Sequence, residues 1–290
     1  MLKQRVLTAV VLITILVGAM LLPSSWPLNV LLSVAAACAL WEWLRLSWPE
    51  QASFFAPTVA VLMFCLMLAM LNGWQVTTYA PWVATLLPLV FKVLLPLVVL
   101  VWVVGVSLML AFAQVQTPQT RVALSLFGVA AVFLAWASLV QMVLAQGPAY
   151  LVSMMAIVWV ADIAAYFAGR ALGKRKLAPR ISPGKTWAGL VGGVMGVVAY
   201  VLLSAQWEQS YAAHLLQHWS WPIAVLIAVL LAVLSVMGDL FESLLKRRAG
   251  VKDSSQLLPG HGGVYDRIDA LIPVAPVALL VGGNFGAYFG

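Results

Sequence analysis

Four polar side chains, Asp239, Glu242, Ser243 and Lys246, recur at i, i+3, i+4 and i+7 where an apolar run ends in MGDLFESLLKRR. On a helix these positions stack on one face, while Leu240, Phe241, Leu244 and Leu245 point elsewhere. A loop follows with the tight turn Pro259-Gly260-His261-Gly262-Gly263, and the chain then returns through Asp266, Arg267 and Asp269. With antiparallel helices on either side of the loop, Asp239 and Asp266 reach similar depth. Two carboxylates there repel each other unless a cation lies between them. Mg²⁺ suits a few carboxylates together with substrate phosphates, and Lys246, Arg247, Arg267 and Lys185 would supply charge for a triphosphate. Spacing alone leaves open an ordinary loop whose acids and bases neutralise one another.

Two further features lie upstream. Asp162 sits in the middle of VWVADIAAYFAGR, where a carboxylate within an apolar span costs at least about 2.5 kcal/mol and calls for a partner or a function. Tyr166, Gly169 and Arg170 fall on its helix face. A pairing of Asp162 with Arg170 or Lys185 for structure alone is the competing reading. The basic segment KLAPRISPGKT then follows, with a turn expected at Pro183-Gly184 and with Ser182, Lys185 and Thr186 opening the next helix. Amides at a helix start, a lysine and hydroxyls suit a phosphate. The G-x-x-x-x-G-K spacing of a P-loop is missing, so a lipid headgroup and a nucleotide are equally served.

The elements that must hold these groups are membrane helices. The chain has 290 residues, 64% hydrophobic and 9% charged, against a charged fraction of about 25% in soluble domains. That composition describes an all-α polytopic integral membrane protein. A span needs about 20 apolar residues, which places nine transmembrane helices near 5–22, 28–45, 54–71, 94–113, 122–145, 150–168, 187–206, 221–241 and 270–289. The apolar but proline-broken segment Pro81 to Pro96, carrying Lys92, is expected to be interfacial or re-entrant. With the N-terminus cytoplasmic, of the 16 Lys and Arg only Lys92 falls outside, the asymmetry of the positive-inside rule. The first run, Val6 to Leu22, is expected to stay uncleaved, because Pro23-Ser24-Ser25-Trp26 is a poor processing site. Cys38 and Cys65 lie in apolar runs and form no disulfide or metal pattern. The net charge of +7 finds no soluble basic domain, so no nucleic acid is expected as a partner.

Residues 1–120 read as scaffold and 121–290 as a catalytic region with cytoplasmic loops 169–186 and 242–269. In the seventh span, Gly189, Gly192, Gly193 and Gly196 form overlapping G-x-x-x-G pairs. Such pairs serve helix packing within a chain or between two copies, which makes a homodimer an open expectation.

The pattern S-x-x-K-R-x4-K-D-x5-P-G-H-G-G-x-x-D-R-x-D, from Ser243 through Asp269, resembles the signature of the phosphatidate cytidylyltransferases, or CDP-diacylglycerol synthases. Asp162 to Arg170, Lys176 to Thr186 and Gly238-Asp239 also resemble that family's motifs. The first 120 residues match mainly in hydropathy, and Ala188 departs from the polar or acidic residue that often follows the tryptophan there. The resemblance implies transfer of CMP from CTP to phosphatidic acid, giving CDP-diacylglycerol and pyrophosphate. It implies metal binding at Asp239 and Asp266, with Asp269 and Asp253 as supporting or alternative ligands, and room for a second metal ion besides Mg²⁺. Lys246, Arg247 and Arg267 would meet the triphosphate. His261 would donate to a phosphate or hold the glycine turn, and Lys185, Ser182 and Asp162 would line the nucleotide site. Arg175, Lys176 and Arg180 would hold the lipid phosphate. Membrane lipids are then the surroundings and a bacterial inner membrane, with the site facing the cytoplasm, is the expected location. An ion-coupled transporter using Asp162 and Asp239, or a CTP-dependent transferase acting on another lipid, are the alternatives.

Overall fold

A computed structural model of the chain describes residues 2–48, 54–75, 82, 85, 86, 89–113 and 121–282. Helices dominate it: α1 (Leu2–Leu21), α2 (Trp26–Ser47), α3 (Phe55–Gln75), α4 (Leu89–Ala111), α5 (Arg121–Gln146), α6 (Pro148–Leu172), α7 (Trp187–Ser204), α8 (Tyr211–His218), α9 (Trp221–Ala249), α10 (Tyr265–Ile268) and α11 (Leu271–Val281). Seven of the described helices, α2 to α7 and α9, are long and apolar enough to cross a membrane. Large apolar side chains such as Leu126, Phe167, Met195 and Leu226 stand exposed on them, as a lipid-facing surface requires. The protein is a polytopic integral membrane protein. The apolar part of α1, Val6–Leu21, is shorter than the other seven. In the ninth expected span, 270–289, the stretch after 282 lies outside the described residues.

Two expectations are corrected. The helix placed at 94–113 begins at Leu89, so the second half of the segment 81–96 belongs to a long apolar helix; most of 81–88 lies outside the described residues. Wide π-helical turns run over Leu89–Leu94 and Val101–Val106. Pro96 would crowd the carbonyl four residues earlier, that of Lys92, and the first wide turn contains it. The second correction concerns KLAPRISPGKT, which forms a β-hairpin: β1 (Lys176–Ala178) pairs antiparallel with β2 (Ser182–Thr186). The chain reverses at Pro179 to Ile181, where the Ile181 amide donates to the Ala178 carbonyl at 3.1 Å. Pro183-Gly184 thus lies in a strand, beside the register shift between Lys176 and Ala178, where a missing donor is tolerated.

The chain divides into two compact units. The first comprises Met1–Val98, Gln116–Val140 and Leu245–Ile268; the second comprises Val99–Val115, Gln141–Leu244 and Asp269–Gly290. In the first, buried Trp43 donates from Nε1 to the Leu124 carbonyl at 3.0 Å and packs 5.2 Å from the Tyr265 ring. Gly128 makes room for it, since a Cβ there would lie 2.3 Å from that indole nitrogen.

In the second unit, α6 and α7 pack through the small residues of both. A Cβ on Gly192 or Gly196 would lie 2.2 or 2.6 Å from the Cβ of Ala168 or Ala164, and one on Gly189 or Gly193 would meet the Ala165 or Ala161 carbonyl at 3.0 Å. The G-x-x-x-G pairs therefore close a contact within the chain.

Candidate active site

In the second unit, α9 presents Asp239 and Glu242 less than one turn apart. Gly238, just before them, is required by close approach: a Cβ would lie 2.5 Å from the Asp269 carbonyl oxygen and 2.9 Å from Ala270 Cα. Only glycine lets α9 come this near to the chain preceding α11. As a result, one oxygen from each of Asp239, Glu242 and Asp269 lies within 4.8 Å of the others. Burial and then the Asp239 carboxylate push the Asp269 carboxyl well above its ordinary range. The Ala270 amide, donating to Asp269 Oδ1 at 2.8 Å, and the charge of Lys185 work against that push. Three hard oxygen ligands this close together fit a divalent cation.

The hairpin delivers the cationic partner. Lys185, on β2, places Nζ 2.5 Å from Asp239 Oδ2. The next residue, Thr186, fixes where α7 starts by accepting the Gly189 amide at 3.1 Å. A cavity of about 520 Å³ opens beside this pair, and Asp162, Tyr166, Gly169 and Arg170 line it with Lys185 and Asp239. The i, i+4, i+7, i+8 face expected for Asp162 is thus formed, with Arg170 Nη1 donating to the Tyr166 hydroxyl at 3.2 Å. Ser182 stands opposite Ala178 in the hairpin and is not among the residues that line the cavity. Arg175 lies with its guanidinium carbon 5.6 Å from the Trp187 ring centre, a cation–π arrangement.

In the first unit the centre is Asp266. Its Oδ1 takes Lys246 Nζ at 2.7 Å, and both side chains are largely buried, 6% and 16% exposed. Its Oδ2 accepts the Ser254 amide at 3.0 Å, the Gly263 amide at 2.8 Å and approaches the Ser254 hydroxyl at 2.8 Å. The glycine turn is built as its residues predict. Gly260 and Gly262 have φ of 75° and 83°, Leu258 and Gly262 form a bridge, and Arg267 donates from Nε and Nη2 to the His261 carbonyl at 3.1 and 2.6 Å. A cavity of about 770 Å³ runs along this turn, with Lys252, Asp253, His261 and Arg267 in its lining. Arg247 is exposed near the end of α9.

Of the residues expected to act, Asp162, Lys185, Asp239 and Asp269 fall in the second unit; Lys246, Arg247, Asp253, His261, Asp266 and Arg267 fall in the first. Sequence reasoning missed two acids. Glu242, whose place in the stripe on α9 does not show its neighbours, completes the acidic cluster. The other is Glu42, wholly buried in α2. Its Oε1 accepts the Ser255 hydroxyl and the Val264 amide, the latter at 3.1 Å; its Oε2 accepts the Tyr265 amide at 2.5 Å and faces the Ser254 hydroxyl at 3.1 Å. Three donors and the Ser254 hydroxyl, which Asp266 also approaches, thus surround one carboxylate, and leaving such donors stranded costs about 1–3 kcal/mol each. The signal that could have found it is the one applied to Asp162, a lone carboxylate inside an apolar span.

The sequence pattern of the Cytidylyltransferase family matches residues 3–284. A phosphatidate cytidylyltransferase of Pseudomonas aeruginosa is 38% identical over 99% of this chain and 100% of its own length. One of Haemophilus influenzae is 32% identical over 95% and 96%. One of Brucella suis reaches 49% identity over 47% of each chain. The chain belongs to the Cytidylyltransferase family.

Proposed function

We propose that this protein is a phosphatidate cytidylyltransferase, transferring CMP from CTP to phosphatidic acid and releasing pyrophosphate. A phosphatidate oxygen attacks the α-phosphorus in line, a new P–O bond forms, and the bond from the α-phosphorus to the pyrophosphate oxygen breaks. The lipid phosphate is already an anionic nucleophile, so no side chain has to be activated as one; positioning and charge neutralisation carry the reaction. The observation that supports this best is the acidic cluster, three carboxylates within 4.8 Å of one another on a membrane chain whose full-length relatives bear that activity in their names.

Asp239, Asp269 and Glu242, in the second unit, are assigned to hold Mg²⁺; Asp266, in the first unit, is assigned a metal-ligand role of its own. When bound, the cation neutralises phosphate oxygens and the charge that grows on the leaving pyrophosphate. Lys246 has two alternatives of comparable chemistry, the Asp266 carboxylate it now holds and a triphosphate oxygen. Transfer to the nucleotide would release Asp266 Oδ1 for a ligand role. Arg247 and Arg267 are assigned to the triphosphate, and His261 to holding the turn, since its carbonyl already takes the Arg267 guanidinium. Asp162, Lys185 and Ser182 are assigned to the nucleotide side. Arg175, Lys176 and Arg180 are assigned to the lipid phosphate.

The nine-span count, with α1 and the segment beginning at α11 as first and last, places 15 of 16 basic residues on the side where CTP is available. We therefore assign the N-terminus and the reaction to the cytoplasmic face, in a bacterial inner membrane. An acceptor panel tests the activity: purified protein, CTP and Mg²⁺ with phosphatidate, lysophosphatidate, diacylglycerol or no lipid. Pyrophosphate release that depends on phosphatidate and Mg²⁺ is expected. Release with diacylglycerol alone would move the protein to another acceptor, and ion counterflow in liposomes without nucleotide turnover would make it a transporter.

A further inference from the structure

We propose that Glu42 is a positioning residue for the transfer reaction: from inside α2 it clamps both ends of the loop that carries the glycine turn and thereby orients Asp266. The inference rests on the activity proposed above. All of its atoms lie in the first unit. The four groups bound to Glu42 come from Ser254 and Ser255 before the turn and from Val264 and Tyr265 after it. One carboxylate therefore closes a segment of about twelve residues into a ring that its own bridge, Leu258 to Gly262, secures only at the tip.

Ser254 joins this clamp to Asp266. Its hydroxyl has a single proton, with Asp266 Oδ2 at 2.8 Å and Glu42 Oε2 at 3.1 Å, so it serves one carboxylate at a time. Its amide remains on Asp266 whichever is chosen. Moving Ser254 moves one of the groups that define where Asp266 Oδ2 lies. Gly263 shows how closely the parts are fitted: a Cβ there would lie 2.0 Å from the Ser254 hydroxyl oxygen and 2.5 Å from both Glu42 oxygens. Only glycine passes between the clamp and the turn. A carboxylate that merely helped α2 to pack would need no such convergence, and Glu42 has no described ion pair to a lysine or arginine. Its charge is balanced by donors from the loop it holds.

The test uses the full-length protein in lipid nanodiscs and the variant Glu42→Gln, which keeps the shape but turns two acceptor sites into donors facing donors. Hydrogen exchange of the peptide covering 254–265 is expected to accelerate about tenfold or more. With phosphatidate and CTP, kcat is expected to fall about tenfold or more while KM for phosphatidate stays within about twofold, the signature of misplacement in place of lost binding. Ser255→Ala removes a single donor and should move both readouts the same way by less, and it carries the test should Glu42→Gln fail to fold. Unchanged exchange overturns the clamp. Faster exchange with unchanged kcat overturns the positioning role and leaves a packing residue. No turnover by the unsubstituted protein, with exchange still accelerated in Glu42→Gln, overturns the activity and spares the clamp.

Discussion

Two groups of carboxylates in this protein are treated in opposite ways. Asp266 has a lysine on one oxygen and two backbone amides on the other, Glu42 beside it accepts three donors, and the Ser254 hydroxyl serves one of the two at a time. The protein neutralises this group by itself. Asp239, Glu242 and Asp269 crowd within 4.8 Å of one another, with Lys185 and the Ser243 hydroxyl on Asp239 and a backbone amide on Asp269. Where a loop must be held in one shape, donors from that loop are built around the carboxylate; in the cluster proposed to take the cation, the carboxylates crowd one another. A buried carboxylate near another is costly in the first case only if its donors are removed, and in the second because its neighbours are present.

Substitution should separate the two. Asp239→Asn is expected to have the largest effect on turnover, lowering kcat about 10²-fold or more, and to abolish the rise in melting temperature that Mg²⁺ produces. A variant that keeps both would remove Asp239 from the metal site. Asp266→Asn should show the other behaviour. Without Mg²⁺ it removes the carboxylate that Lys246 Nζ meets at 2.7 Å and should lose about 1–3 kcal/mol of stability, measured as a fall in the metal-free melting temperature, with activity falling alongside. A metal-free stability equal to that of the unsubstituted protein would show that the Lys246 pair contributes nothing. Gly238→Ala tests the approach that assembles the cluster. Its Cβ would meet the Asp269 carbonyl at 2.5 Å, so backbone must shift, at about 1–3 kcal/mol. The expected result is a weaker Mg²⁺ requirement-limited rate, restored in part by higher Mg²⁺; a rate insensitive to added Mg²⁺ would mean that the glycine serves packing alone.

What the sequence could say about these groups followed from distance along the chain. The i, i+3, i+7 stripe on α9, the glycine turn with positive φ at Gly260 and Gly262, and the face shared by Asp162, Tyr166 and Arg170 are local, and helical or turn geometry dictates them. Seven of the nine expected spans correspond to long apolar helices, because hydropathy over about 20 residues is also local. Glu42 is 212 residues from Ser254, and no periodicity in α2 says which loop its carboxylate meets. Gly238 is similar: its sequence neighbours show a glycine, and only the chain at Asp269 shows why. Pro183-Gly184 failed in the opposite sense. The dipeptide carries a strong turn signal, but the reversal four residues earlier, at Pro179 to Ile181, had already paired the strands.

The smallest effect is the most specific to the cluster. Asp269 has a carboxyl raised well above its usual range, by burial first and by the Asp239 carboxylate second. In the metal-free protein it therefore keeps its proton at a pH where an ordinary aspartate has lost it, and metal binding must displace that proton. The apparent affinity for Mg²⁺ should weaken as pH falls through the raised value, by up to about tenfold per unit for one displaced proton, and level off above it. Asp269→Asn has no proton to displace and should flatten the dependence over that window, at a lower affinity throughout. Calorimetry in two buffers of different ionisation enthalpy reads the proton directly. Release of the same number of protons by the unsubstituted protein and by Asp269→Asn would assign the titration to another group.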